Sequence, residues 1–157
     1  MSFPSHHLYY DDLEISAHWT SQGRTLTEAD IINFAGLSGD FNPIHIDHEF
    51  AKASPFRKPI AHGLAVFSIA SGLTLAAPPC RILAMLEVNH WMFTAPVFIG
   101  DTIRIRSTVK SKTIRGVGKR GEVLWLREIL NQDDKTVQSG EMKTLVECRP
   151  IQASHSA

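Results

Sequence analysis

The chain has 157 residues, enough for one domain that buries roughly 70% of its unfolded surface without disulfide staples. Hydrophobic residues make up 43% and charged residues 20%, which excludes a disordered or low-complexity chain. Lys plus Arg number 16 and Asp plus Glu number 16, so the formal net charge is zero and the basic excess typical of nucleic-acid binders is missing. Cys80 and Cys148 lack any C-x-x-C spacing and read as small core hydrophobes. The start, Met1-Ser2-Phe3-Pro4-Ser5-His6-His7, has no apolar stretch behind a basic one, and no run approaches the roughly 18 apolar residues of a membrane span. The expectation is a cytoplasmic protein with no membrane segment, a single domain over 1–157 with a loose tail at 150–157.

In chain order, Thr27-Glu28-Ala29-Asp30 is a helix start, with a capping hydroxyl and an acid in the first turn. Ile31, Phe34 and Ala35 follow at helical spacing, and Gly36 and Gly39 end the helix. A second short helix is predicted from Asp47 to Ala53. A third runs from about His62 to Ala77, with Val66, Ile69, Ala70 and Leu73 along one stripe and Leu64, Phe67 and Leu75 off it. A helix apolar almost all round is expected to be buried. Pro78-Pro79 stops it. Strands follow: Ile103, Ile105 and Val109 alternate with Arg104, Arg106 and Thr108, the half-buried pattern. Residues 82–88 and 122–130 are apolar at both parities, which predicts central strands. Asn131-Gln132-Asp133-Asp134 reads as a hairpin turn into a last strand near Thr136–Glu147. A long buried helix followed by antiparallel strands implies an α+β fold with the sheet wrapped on the helix.

The densest polar segment is Ser38-Gly39-Asp40-Phe41-Asn42-Pro43-Ile44-His45-Ile46-Asp47-His48. Pro43 keeps Asn42 out of the helical region, so the chain turns there and can bring Asp40 beside His45. A carboxylate next to an imidazole can share one water, one group taking its proton while the other orients it. The alternative is that Asp40 caps a turn and His45 is an ordinary surface histidine. A second cluster, Ala61-His62-Gly63, opens the third helix. Free N–H groups at a helix N-terminus, with a glycine that lets a ligand oxygen come close, suit a developing oxyanion. A glycine chosen only for packing is the other reading.

Together these segments resemble one family. Phe34-Ala35-Gly36-Leu37-Ser38-Gly39-Asp40-Phe41-Asn42-Pro43-Ile44-His45-Ile46-Asp47, then Ala51, then Ile60-Ala61-His62-Gly63, is similar to the signature of the MaoC-like (R)-specific enoyl-CoA hydratases. The likeness runs from about Tyr9 to Glu147 and includes Gly100-Asp101-Thr102 before a strand. It implies the hot-dog fold, a curved antiparallel sheet around a long central helix, and pairing as a homodimer or dimer-based assembly. It implies syn addition of water to a trans-2-enoyl-CoA, or the reverse dehydration. By the same resemblance Asp40 and His45 activate the water, Gly63 N–H receives the thioester oxygen, and Asn42, Ser38 and His62 belong to the substrate-binding set. Coenzyme A enters as part of the substrate, and no metal or other cofactor is implied. The segment Ser54-Pro55-Phe56-Arg57-Lys58-Pro59 departs from the family's glycine-aromatic pair, at the substrate entrance. A hot-dog thioesterase and a non-catalytic acyl-CoA-binding module are the rival readings.

Other residues carry weaker signals. His45, Asp47 and His48 have the local spacing of a metal facial triad, a reading the buried helix at 62–77 disfavours. Lys110 to Arg120 is locally basic on a glycine-containing loop, where cations for coenzyme A phosphates or a merely solvated hairpin are both open. Trp19, Trp91 and Trp125 read as packing residues.

Overall fold

Alternating residues in the second half of the chain build one antiparallel sheet in the computed structural model, which describes residues 7–116 and 119–150. Its strands are β1 (His18–Thr20), β2 (Arg24–Thr25), β3 (Ile82–Phe93), β4 (Thr102–Arg115), β5 (Arg120–Leu130) and β6 (Thr136–Glu147). They lie in the order β1-β4-β5-β6-β3, with β2 also on β4. Register shifts interrupt β3 at three places and β4 between Val109 and Ser111. Such irregularities bend and twist a strand, which lets this sheet curve. The tail expected at 150–157 lies outside the described residues from 151 onward, as do His6, Val117, Gly118 and His155.

The helices are α1 (Glu28–Ser38), α2 (Pro43–Ile46), α3 (His48–Ala53) and α4 (Gly63–Leu73), the last continued by a 3₁₀ turn at Thr74–Ala76. α1 starts where expected: Thr27 Oγ1 accepts from the Asp30 N–H at 3.3 Å, and Asp30 Oδ2 accepts from the Thr27 N–H at 2.8 Å. Gly36 stays inside this helix. Gly39 ends it in the left-handed region at φ +77°, donating to Ala35 O. α4 lies on the concave face of the sheet. Val66 and Ala70 pack with Leu26, Ile31, Ile103, Ile105, Ile129 and Val137 in the main core cluster. A second cluster at the other end gathers Tyr10, Leu13, Val109, Val123, Trp125 and Val146.

Two sequence expectations need correction. α4 and the 3₁₀ turn after it are buried along one stripe and not all round: Leu64 and Leu75 are 61% and 76% exposed. The segment 82–88 is not a central strand either. β3 forms an edge of the sheet, and Leu83, Met85, Leu86 and Val88 are exposed there. Residues 122–130 are central as predicted, in β5 between β4 and β6. The hairpin turn at 131–134 is present, held by Asn131 Oδ1 accepting from the N–H groups of Asp133 and Lys135. Among the described residues no helix is long and apolar enough to cross a membrane.

Candidate active site

The left-handed exit at Gly39 turns the chain back, and Asn42 then starts α2. Asn42 Oδ1 accepts from the Ile44 N–H at 3.1 Å, and Pro43 occupies the first helical position, where no N–H is needed. The one-turn helix was not predicted, because four residues are too few for a periodic signal. It places His45 against the strand-like segment at Ile60. His45 Nδ1 lies 2.7 Å from the Ile60 carbonyl. A carbonyl only accepts, so Nδ1 carries the hydrogen and Nε2 keeps its lone pair. That Nε2 stands 3.9 Å from Asp40 Oδ2. The gap is too long for a direct hydrogen bond and leaves both atoms free to hold one oxygen between them. Asp40 Oδ1 accepts from the Asn42 N–H at 3.2 Å, which fixes the carboxylate.

His45 lines a cavity of ≈ 510 Å³ whose walls are mostly apolar: Phe56, Ile60, Ala61, Leu64, Val66, Phe93 and Val97, with Gln138 as a polar exception. Gly63 lines the same cavity at the first position of α4, and no side chain caps that helix. With no capping side chain and no acid in its first turn, the helix N-terminus keeps its N–H donors and positive dipole end free beside the cavity. Space is tight, since a Cβ on Gly63 would come within 2.8 Å of the Phe93 ring. The expected trio of Asp40, His45 and Gly63 is thus assembled around one apolar cavity, Asp40 beside it and the other two in its wall.

The other expected site residues lie differently. Ser38 Oγ donates to Phe34 O at 2.8 Å and accepts from the Asp40 N–H at 3.2 Å, so it shapes the turn and does not line the cavity. Asn42 is taken up in capping α2 and is also outside the lining. His62 is 3% exposed, with Nε2 2.9 Å from the Asp40 carbonyl and its ring stacked on His45 at 3.8 Å. All three were expected in the substrate-binding set. In the structure their side chains bond backbone groups of Phe34, Asp40 and Ile44. Asp101 does the same for its turn, accepting from the Phe98 N–H at 2.8 Å. Phe93 and Gln138 were missed by sequence reasoning, because they sit on strands far along the chain and belong to no local motif.

The metal trio His45, Asp47 and His48 is not assembled. Asp47 Oδ1 accepts from the N–H groups of Glu49 and Phe50, capping α3, and His48 pairs with Glu28. Ligand-type atoms of Asp40, His45 and His62 do lie within 4.8 Å of one another. Their two rings, however, are stacked with planes only 31° apart. Nearly parallel rings cannot both aim a lone pair at one ion about 2 Å away, and His62 Nε2 is already turned to the Asp40 carbonyl at 2.9 Å. The basic segment is also placed. Residues 110–115 belong to β4 and not to a loop, and Lys110 pairs with Glu141 and Arg115 with Glu122. The β4–β5 hairpin lies at the Glu147 end of β6, nine residues from Gln138 and so about 30 Å from the cavity of the same chain. The tryptophans pack: Trp125 is buried, Trp19 meets it edge-on at 6.4 Å, and Trp91 meets Phe67 at 4.6 Å. The strongly perturbed groups lie in the second core cluster and its surroundings, where burial pushes the Cys80 thiol up to about 12 and brings Arg127 down to about 10.

A long helix on the concave face of a curved antiparallel sheet is the hot-dog fold, and here it sets an Asp/His pair beside an apolar cavity. Residues 16–125 match the family model described as a MaoC like domain, and the chain belongs to that family. The (R)-specific enoyl-CoA hydratase of Rhodospirillum rubrum is 32% identical over 145 residues, 90% of this chain and 93% of that protein. Protein MaoC of Klebsiella aerogenes is 38% identical over 107 residues, 68% of this chain, and the chain spans 32% of that longer protein. The solved MaoC-like dehydratase from Rhodospirillum rubrum superposes with a TM-score of 0.82 at 26% identity, covering 92% of this chain and 99% of that one.

Proposed function

We propose that the protein is an (R)-specific enoyl-CoA hydratase and 3-hydroxyacyl-CoA dehydratase. The observation that carries this reading is the 3.9 Å gap between Asp40 Oδ2 and the lone-pair nitrogen of His45, beside the cavity that His45 and Gly63 line. A water held in that gap has its hydrogens directed at the carboxylate and at Nε2. Its oxygen bonds to the β-carbon of the enoyl thioester while Nε2 takes one proton. The double-bond electrons pass to the thioester oxygen, which the N–H of Gly63 receives as an enolate. The Asp40/His45 pair then returns a proton to the α-carbon on the same face, giving the 3-hydroxyacyl thioester. The thioester itself acidifies the α-carbon, so the reaction calls for no metal or redox cofactor. The hydratase name carried by relatives at 32–40% identity supports the same reading.

We further propose that the working unit is a homodimer joined through β3. Edge strands that expose a long apolar row are templates for pairing, and β3 exposes Met85, Leu86, Val88 and Met92. An antiparallel strand paired with its own copy satisfies a two-fold axis. Free Cys80 and Cys148 suit a reducing compartment, and the proposal places the enzyme in the cytoplasm.

The test is a panel of short, long and branched trans-2-enoyl-CoA substrates, followed by loss of the conjugated-thioester absorbance. Saturable hydration of at least one supports the assignment. Release of free thiol points to a thioesterase, and binding without turnover points to a carrier module; either result overturns it.

A further inference from the structure

Two imidazoles and two carbonyls cross-link the segments that make the site. His45, on α2, donates through Nδ1 to the carbonyl of Ile60 at 2.7 Å. His62, two residues beyond Ile60, has Nε2 at 2.9 Å from the carbonyl of Asp40, five residues before His45. The rings that make these bonds stack on each other at 3.8 Å, and Phe34 packs on His62 at 5.2 Å. His62 therefore stands behind His45, 3% exposed, and is absent from the cavity wall.

A histidine is an expensive choice for that place. Its Nδ1 is buried without a hydrogen-bond partner among the described residues. A leucine would fill similar space without that penalty. The residue makes sense only through what its other features do. Because a carbonyl cannot donate, Nε2 must carry the hydrogen, which leaves Nδ1 with the lone pair. The N–H holds the backbone of Asp40, and the flat ring face limits His45 to one orientation.

We propose that His62 is a positioning residue for the Asp40/His45 pair and makes no contact with substrate. The inference rests on the hydratase reading and adds to it the element that sets the width of the water gap. Two replacements separate its two contributions. His62→Phe keeps a ring face and loses the donor. His62→Gln keeps a donor near the Nε2 position and loses the face. Each should lower kcat by about 10–100-fold, the scale of misplacing a catalytic group by a fraction of an ångström to one ångström. KM for an enoyl-CoA and Kd for its saturated analogue should stay within about threefold, since no ground-state contact is lost. In an Asp40→Asn background, His62→Phe should cost no more than about twofold further, because it acts through the group already disabled.

Wild-type kcat in both variants would overturn the proposal. So would a Kd that weakens in step with kcat, the mark of a substrate contact, or fully multiplicative losses with Asp40→Asn. Nitrogen-15 spectra of the histidines in the unmodified protein give a reading that needs neither a folded variant nor activity. They should show His62 protonated at Nε2 with a bare Nδ1, and the opposite tautomer rules out the bond to Asp40. A wild-type protein that hydrates no enoyl-CoA at all would instead count against the hydratase reading, leaving the tautomer to decide the clamp.

Discussion

Gln138 Nε2 donates to the carbonyl of Gly63 at 3.0 Å, tying the inner face of β6 to the first turn of α4. The same side chain accepts from the Trp91 indole N–H at 3.0 Å, so a buried amide links the edge strand, the sheet and the helix N-terminus. Replacing it with leucine leaves the indole donor and the Gly63 carbonyl without these partners. Gln138→Leu should cost about 1–3 kcal/mol of stability in urea unfolding, the penalty of orphaned buried groups. Turnover should fall by about tenfold as Gly63 loses its anchor. An unchanged unfolding midpoint would show that the amide is dispensable.

Asp40→Asn and His45→Ala should each lower hydratase turnover by about 10²–10⁴, the range for losing an acid–base group. The two face one gap, so the double variant should be little slower than the worse single one. Circular dichroism should show intact folds, because the Asp40 side chain is half exposed and α2 buries no residue. Steady-state rates for the four proteins settle the point, and independent, multiplicative losses would break the shared-water account.

At Gly63 the close approach of Phe93 gives two variants with different meanings. Gly63→Ala puts a methyl within 2.8 Å of the Phe93 ring. That ring is half exposed at the end of β3 and lines the cavity, so its displacement alters the cavity wall. Gly63→Val should lower kcat by about 10²–10³, the cost of losing one oxyanion donor. Adding Phe93→Ala to Gly63→Ala should restore binding of a saturated acyl-CoA by making room. Recovery of binding without recovery of kcat would separate the oxyanion role from simple crowding.

The exposed row on β3 carries its own prediction. Val88→Asp should convert the protein to a monomer in light scattering, because a charge in the middle of a paired strand meets its own copy. Activity should fall with it. A fully active Val88→Asp monomer would show that one chain suffices.

Cys80 gives a dependence on alkali. Burial raises its thiol to about 12 from an ordinary value of 9.0. A raised thiol is protonated in the folded chain while the unfolded chain has already ionised. Its contribution is therefore complete below about pH 9 and is lost as pH climbs toward 12. Cys80→Ala should flatten the fall in stability over that window, and at pH 8 the folded protein should resist alkylation until denaturant is added.

Much of this was legible in the sequence where the signal is local. The capping box at Thr27 and Asp30, the Asn42-Pro43 turn and the alternation at Ile103, Ile105 and Val109 all appear as read, since each depends on neighbours within a few residues. The pairing of Asp40 with His45 follows from the same turn. What the sequence hid is which apolar residues find a partner. Residues 82–88 look like a central strand because apolar side chains at both parities signal two covered faces, and one chain alone leaves them uncovered. The place of His62 was hidden for a related reason: a histidine beside a glycine at a helix start looks like part of a ligand site, and only the fold shows its ring stacked on His45.

The lid-like stretch that bears Asp40 and His45 is sparsely rooted. α2 buries no residue and α3 buries only Ala51, whereas β4, β5 and β6 are bonded along their length. Segments with little buried apolar surface open at lower free energy than the body they rest on. On warming, catalysis should therefore fade before the strands melt, and amide hydrogens at 44–53 should exchange well ahead of those in β5. An enzyme built this way can tune its working temperature by reinforcing a dozen residues, with the sheet left as it is.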